Sequence, residues 1–234
     1  MADPILSVSG LSSGYGDFQA LFDVSLTVPE KSVLGLVGAN GAGKSTLFKA
    51  VMGLLPRARD MVTFRGQPIG DVHPERMAQM GIVMVPEGRR LFRSLSVEEN
   101  LRLARDHGRA GDWTPERVYE LFPILGEKRR QPATALSGGQ QQMVAIGRAL
   151  VANPAVILFD EISLGLAPIV VNDVYAALPP IVDSGISAVV VEQDVDRVLK
   201  LAQTLVCLSE GKVALSGPTE SFTKAQLTAA YFGE

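Results

Sequence analysis

Phe22, Val24, Leu26 and Val28 alternate with Asp23, Ser25 and Thr27, the period of two expected of a strand with one buried face. The alternation predicts an antiparallel sheet near the N-terminus. Ser32 to Val37 is instead a continuous apolar run, as are Gly81 to Val85, Ala155 to Phe159 and Ala188 to Val191. Such runs suit central strands of a parallel sheet covered on both faces. Helical spacing lies between them, at Leu47, Val51 and Leu54 after the first run and at Met143, Ile146, Gly147 and Leu150 ahead of the third. The pattern predicts an α/β fold.

From about Gly88 to Ala152 no strand pattern is visible, and Ser96 and Glu99 stand at capping-box spacing before Leu101 and Leu103. This stretch reads as a helical insertion, residues 88–152, in a single domain whose core is 1–87 and 153–234. Between residues 89 and 130 there are ten Lys/Arg and seven Asp/Glu, a local +3 against −6 for the rest. Such a stretch is either a solvated mixed-charge face or a docking surface for acidic loops or anionic headgroups. Thr204 to Ser216 reads as a hairpin turning at Glu210-Gly211-Lys212, with a short helix from Pro218.

The 234 residues are 47% hydrophobic and 20% charged, the balance of a compact globular chain. A net charge of −3 lacks the basic excess of nucleic-acid binders, so no nucleic-acid partner is expected. No apolar run approaches the ~18 residues of a membrane span, and Met1 to Pro4 lacks the basic start of a signal peptide. A cytosolic chain is expected, serving any membrane from outside the lipid. Cys207, the single cysteine, sits in an apolar run and reads as a buried small side chain. His73 and His107 form no metal cluster with it, and neither falls in a motif, so no imidazole should titrate in the catalytic site.

Gly38-Ala39-Asn40-Gly41-Ala42-Gly43-Lys44-Ser45 fits G-x-x-x-x-G-K-[ST], between an apolar strand and a helix, and is a P-loop. Glycines let successive backbone N–H groups point into one concavity, and the helix adds its positive dipole end. Gly38, Asn40, Gly41, Gly43 and Thr46 would cradle phosphates, Lys44 would reach the outer ones, and Ser45 would hold Mg²⁺. Val156 to Phe159 is an apolar strand ending in Asp160 and Glu161. In a P-loop protein Asp160 is placed to bind Mg²⁺ through water and Glu161 to polarise the attacking water.

Leu136-Ser137-Gly138-Gly139-Gln140 stands 20 residues before Asp160. With it the sequence resembles the ATP-binding cassette (ABC) ATPases, for which this is the signature motif; the three motifs in this order cover the chain nearly end to end. The resemblance implies a cassette with a mixed core sheet, an N-terminal antiparallel β subdomain and an inserted helical subdomain. It implies ATP and Mg²⁺ as cofactors, and a dimer in which Ser137, Gly138, Gly139 and Gln140 close on the nucleotide of a partner. By the same resemblance Tyr15 stacks on adenine, Glu87 stands at the Q-loop position, where it would sense Mg²⁺ or water, and Ser163 to Pro168 is the D-loop. Gln193 stands where most of these ATPases have the switch His and would donate its amide N–H to the γ-phosphate.

Glu87 and Gln193 depart from the family pattern together. With Val-Pro-Glu-Gly-Arg-Arg, Ser-Leu-Gly-Leu-Ala-Pro and Val-Glu-Gln, the chain looks like the smaller ATPase of bacterial uptake transporters for branched-chain amino acids and related amides. That branch implies a second, different ATPase, two permeases and a periplasmic binding protein, with this chain on the cytoplasmic face of the inner membrane and a homodimer possible in isolation. An ABC exporter of lipid or polysaccharide would share every motif except the Glu87, Gln193 and D-loop combination. A ribosome- or DNA-acting ABC protein would show two cassettes or long heptad arms. A non-transport scaffold ATPase is the binding-module alternative, and the signature excludes a metabolic kinase. Where the family usually has Pro after the catalytic Glu this chain has Ile162, which removes a backbone restriction on Glu161; either modest loss of preorganisation or a neutral change in a packed loop follows.

Overall fold

The computed structural model describes residues 4–232. The chain opens with β1 (Leu6–Tyr15) and β2 (Phe18–Val28), continues through β3 (Val33–Val37), α1 (Lys44–Val51), β4 (Val62–Phe64) and β5 (Gln67–Pro68), and reaches α2 (Pro74–Met80) and β6 (Ile82–Val85). Four helices follow with no strand among them: α3 (Val97–Asp106), α4 (Pro115–Leu121), α5 (Pro123–Glu127) and α6 (Gly138–Val151). The last part is β7 (Val156–Asp160), α7 (Pro168–Ala176), α8 (Leu178–Asp183), β8 (Ser187–Val191), α9 (Val195–Leu201), β9 (Thr204–Ser209), β10 (Lys212–Pro218) and α10 (Lys224–Phe232).

An antiparallel sheet of order β2-β1-β4-β5 lies against a mixed sheet of order β10-β9-β3-β8-β7-β6, in which all but β10 run parallel. Every residue of β3, β7 and β8 is buried, which is why the sequence shows runs there instead of alternation. Their side chains alternate between two cores. Ile157 and Phe159 face the helices α3 to α10, while Val156 and Leu158 face α1, α2 and the antiparallel sheet. The α/β fold with its two sheets and inserted helices is the expected one.

Three local expectations fail. β2 carries an extra residue, since Leu11 pairs with Val24 but Ser13 with Leu21, and Asp23 takes φ +56. The bulge flips the phase, so Leu21 is buried and Phe22 is 38% exposed. Leu54 lies beyond the end of α1, which Met52 and left-handed Gly53 terminate, and points to solvent. The segment from Pro218 is first a 3-10 turn, Thr219–Ser221, and the helix begins only at Lys224.

The Ser96 capping box is present, with Ser96 Oγ accepting from Glu99 N and Glu99 Oε2 accepting from Ser96 N. One turn on, Asn100 is fully buried; its Nδ2 donates to the carbonyls of Phe92, Leu95 and Ser96, and its Oδ1 accepts from Phe92 N. That side chain fastens the loop after Glu87 onto α3. Asn100→Ala leaves these backbone groups without their partner and should destabilise the protein by about 1–3 kcal/mol in urea unfolding; a midpoint within error of the parent would contradict the assignment.

Candidate active site

Four parallel strands deliver the chemistry to one edge of the mixed sheet, the edge at their C-terminal ends, where open α/β sheets bind ligands. The P-loop follows β3, Glu87 follows β6, Asp160 and Glu161 end β7, and Glu192 and Gln193 follow β8. In the P-loop the glycines have distinct tasks. Gly38 has φ +150, and a Cβ there would lie 2.3 Å from Leu208 O; Gly43 has φ +104, and a Cβ would meet Leu21 at 2.7 Å. Both are held by packing. Gly41, at φ +83, has nothing within 4 Å of a would-be Cβ and borders open space, as a phosphate cradle requires.

Lys44 opens α1 and is 5% exposed; its Nζ donates to Gly38 O at 2.8 Å and Ala39 O at 3.0 Å and lies 3.8 Å from Glu161 Oε1. Ser45 Oγ donates to Asp160 Oδ1 at 3.1 Å. Burial pushes the Asp160 carboxyl up to about 6; the Ser45 hydrogen bond opposes this, and the charges of Glu161 and Glu87 add to it. A hydroxyl and a carboxylate side by side are hard oxygen donors of the kind Mg²⁺ takes, one or two at a time, alongside substrate phosphates. Glu87 itself is exposed and reaches the pair through charge alone.

Glu161 takes φ +48 and donates its N–H to Val191 O at 3.1 Å, joining the ends of β7 and β8. Gln193 Nε2 donates to Glu161 Oε2 at 2.8 Å. This bond places the Gln193 amide directly beside the Glu161 carboxylate. Ile162 is 1% exposed and belongs to the helical-side core. Tyr15, 43% exposed, ends β1 beside α1, with its hydroxyl 3.4 Å from Thr46 Oγ1 and accepting from Lys49 Nζ at 3.1 Å.

Ser137 caps α6 in a second capping box: its Oγ accepts from Gln140 N, and Gln140 Oε1 accepts from Ser137 N. Gly138 faces the guanidinium of Arg89, and Gly139 abuts Val170. Among the described residues no side-chain hydrogen bond or ion pair joins Ser137, Gly138, Gly139 or Gln140 to the P-loop. Both histidines lie elsewhere, His73 at the start of α2 and His107 at the end of α3.

One residue of the site was not singled out from the sequence. Glu192 is 2% exposed, and its carboxylate accepts from Ser163 N at 3.1 Å and from Ser163 Oγ at 2.7 Å, tying the strand before Gln193 to the loop after Glu161. Burial raises its pKa, with the Ser163 hydrogen bonds opposing. The available signal was the one used for Asp160, a carboxylate at the end of a wholly apolar strand.

The ABC transporter family model matches residues 21–163. The high-affinity branched-chain amino acid transport ATP-binding protein BraG of Pseudomonas aeruginosa is 38% identical, over 98% of this chain and 100% of that protein. The lipopolysaccharide export system ATP-binding protein LptB of Escherichia coli K12 is 33% identical over 98% of this chain and 97% of that one. Among solved structures, an ATP-binding cassette of an ABC transporter in its ADP conformation superposes with a TM-score of 0.83 at 27% identity, covering 99% of each chain. A P-loop, a signature helix and an acidic strand end on this fold, with a family match across most of the cassette, make this chain a member of the ABC transporter family, an ATP-hydrolysing subunit coupled to transport.

Proposed function

We propose that this ATPase powers uptake of branched-chain amino acids or related amides, as one of two different ATPases beneath two permeases and a periplasmic binding protein. The observation that carries the reading is the joint occurrence of Glu87, Gln193 and Ser-Leu-Gly-Leu-Ala-Pro at 163–168. Similarity to BraG over that protein's full length supports it. The match to LptB favours a second reading, an export ATPase with the same catalytic chemistry. Among the described residues no helix is long and apolar enough to cross a membrane. Arg89, Arg90 and Arg148 line a cleft of about 270 Å³ between β6 and α6, a basic surface suited to an acidic permease loop.

Each site residue has a role under this reading. Gly38 to Thr46 wrap the phosphates, Lys44 supplies the ammonium, and Tyr15 offers its exposed ring to adenine. Ser45 and Asp160 hold Mg²⁺, which when bound neutralises phosphate charge. Glu161 accepts the proton of the attacking water. Gln193 holds Oε2 and leaves Oε1 to face the phosphates beside Lys44. Glu87 would sense Mg²⁺ or water, and Ser137, Gly138, Gly139 and Gln140 would complete the site of the partner ATPase, or of a second copy in isolation.

Three outcomes are expected. Glu161→Gln should retain ATP binding but lose ~10²- to 10⁴-fold in turnover, the usual contribution of a general base; parent-like hydrolysis would remove Glu161 from that role. Asp160 keeps its proton in the folded chain at pH values where the unfolded chain has lost it, so its contribution to metal-free stability falls as pH rises from about 4 to 6. Asp160→Asn should therefore gain on the parent by up to about 3 kcal/mol across that window, and parallel pH profiles in denaturant melts would contradict this. A tagged pull-down from detergent-solubilised membranes should recover two distinct permeases and a second ATPase. A permease partner with this chain as sole ATPase would overturn the uptake reading and leave the ATP chemistry intact.

A further inference from the structure

At the opposite edge of the mixed sheet, four segments of the chain meet around a cavity of about 230 Å³. Arg65 comes from the tight turn between β4 and β5; Arg109, Asp112, Trp113 and Arg117 come from the loop after α3 and the start of α4. Asn153 to Ala155 and Ser184 to Ile186 form the floor, immediately ahead of β7 and β8. The cavity and the P-loop side are thus separated by the length of β7, about 16 Å for five residues at ~3.3 Å each.

The frame is stiff. Asn153, at φ +51, donates from Nδ2 to Arg109 O at 3.2 Å and Trp113 O at 3.1 Å and accepts at Oδ1 from Trp113 N at 2.8 Å. Trp113 Nε1 donates to Ser184 Oγ at 3.2 Å, and the Arg117 guanidinium lies 4.4 Å from the centre of the Trp113 ring. The cations, by contrast, have no anionic partner among the described residues: Arg65 lies over the Phe64 ring at 5.5 Å as Arg117 does over Trp113, contacts that leave the guanidinium N–H groups free to donate. Among the described residues the ion pairs involve Lys44, Arg59, Arg102, Arg197 and Lys224, and no side-chain hydrogen bond is made by the guanidiniums of Arg65, Arg109 or Arg117. Asp112 is the one carboxylate on the rim, so three guanidiniums leave a net charge of +2.

We propose that this cavity is a binding site for a compact polyphosphate anion bearing at least two phosphate groups, gripped between Arg65, Arg109 and Arg117. Guanidinium forks match phosphate oxygens in paired hydrogen bonds, and a net +2 calls for a ligand of at least two negative charges. Because the ligand would touch the antiparallel sheet, the inserted helices and the floor of the mixed sheet together, its binding stabilises their arrangement.

Trp113 is the only tryptophan of the chain, so intrinsic fluorescence reads this site directly. The test titrates inorganic pyrophosphate into full-length Lys44→Ala protein, in which the P-loop lacks its phosphate-binding ammonium. A saturable fluorescence change with a rise in melting temperature is expected, and Arg109→Gln or Arg65→Gln should weaken the apparent affinity at least tenfold. ADP in the same background identifies the carrier: an equal response means a nucleotide's phosphate pair is accepted, a weaker one a free anion, and either sustains the site. The proposal is overturned by no saturable response, by an equal response to sodium chloride at matched ionic strength, or by a pyrophosphate response that survives both arginine substitutions. It also fails if Lys44→Ala abolishes the parent's response, which then arises at the P-loop. Should Lys44→Ala or Arg109→Gln not fold, Arg65→Gln on its exposed turn carries the test in the parent background.

Discussion

A strand buried on both faces cannot carry charge along its length, because desolvating an unpaired carboxylate or ammonium costs more than the neighbouring apolar contacts return. β3, β7 and β8 are such strands, buried at every residue. Polar chemistry is therefore displaced to their ends. Since the three run parallel, the C-terminal ends coincide, and the P-loop, Asp160 and Glu192 emerge at one edge without further design. Even there the carboxylates are nearly enclosed, at 3% exposure for Asp160 and 2% for Glu192, and each is held by a serine, Ser45 and Ser163 respectively. The site is a boundary condition of the core.

What could be read in the sequence was what local chemistry determines. The P-loop needs its glycines and Lys44 within one turn, the Ser96 and Ser137 caps need partners three residues on, and the buried strands announce themselves as apolar runs. Phe22 and Leu54 were misplaced because their positions depend on geometry that side-chain patterning does not record: a bulge at Asp23 in one case and helix termination at Gly53 in the other. Glu192, Asn100 and Trp113 were missed for a related reason. Glu192 and Trp113 draw their roles from partners 29 and 71 residues away, Ser163 and Ser184, which no spacing rule brings together. Gln193 was singled out by resemblance, but its bond to Glu161 is a tertiary fact.

Glu161 shows how the two kinds of information combine. The absence of proline at 162 left two outcomes open, a looser backbone around Glu161 or a neutral change in a packed loop. In the structure Glu161 occupies the left-handed region, at φ +48, whereas a following proline favours extended backbone at the preceding residue. Ile162 permits this conformation and anchors it, since its side chain is buried with Phe159 and Val190 in the helical-side core. Backbone restriction is replaced by packing. Val191 O, Lys44 and Gln193 then hold the N–H and the two carboxylate oxygens in turn, so Glu161 is positioned by three neighbours drawn from α1, β8 and the loop after β8.

The same accounting bears on the second ATPase that the proposed function calls for. α6 begins with a complete capping box, which satisfies two backbone donors among its own residues and leaves the positive end of a 14-residue helix beside exposed Ser137. Such an end attracts anions, yet among the described residues no hydrogen bond from Ser137 to Gln140 reaches the P-loop. The P-loop at Lys44 and the helix end at Ser137 therefore read as two half-sites on separate surfaces. Two cassettes facing each other would satisfy both at once, twice over, and closure would then depend on the one component that bridges them, the nucleotide. Under the proposed function, hydrolysis would remove part of that bridge and weaken the dimer, which would link proton transfer at Glu161 to the permeases.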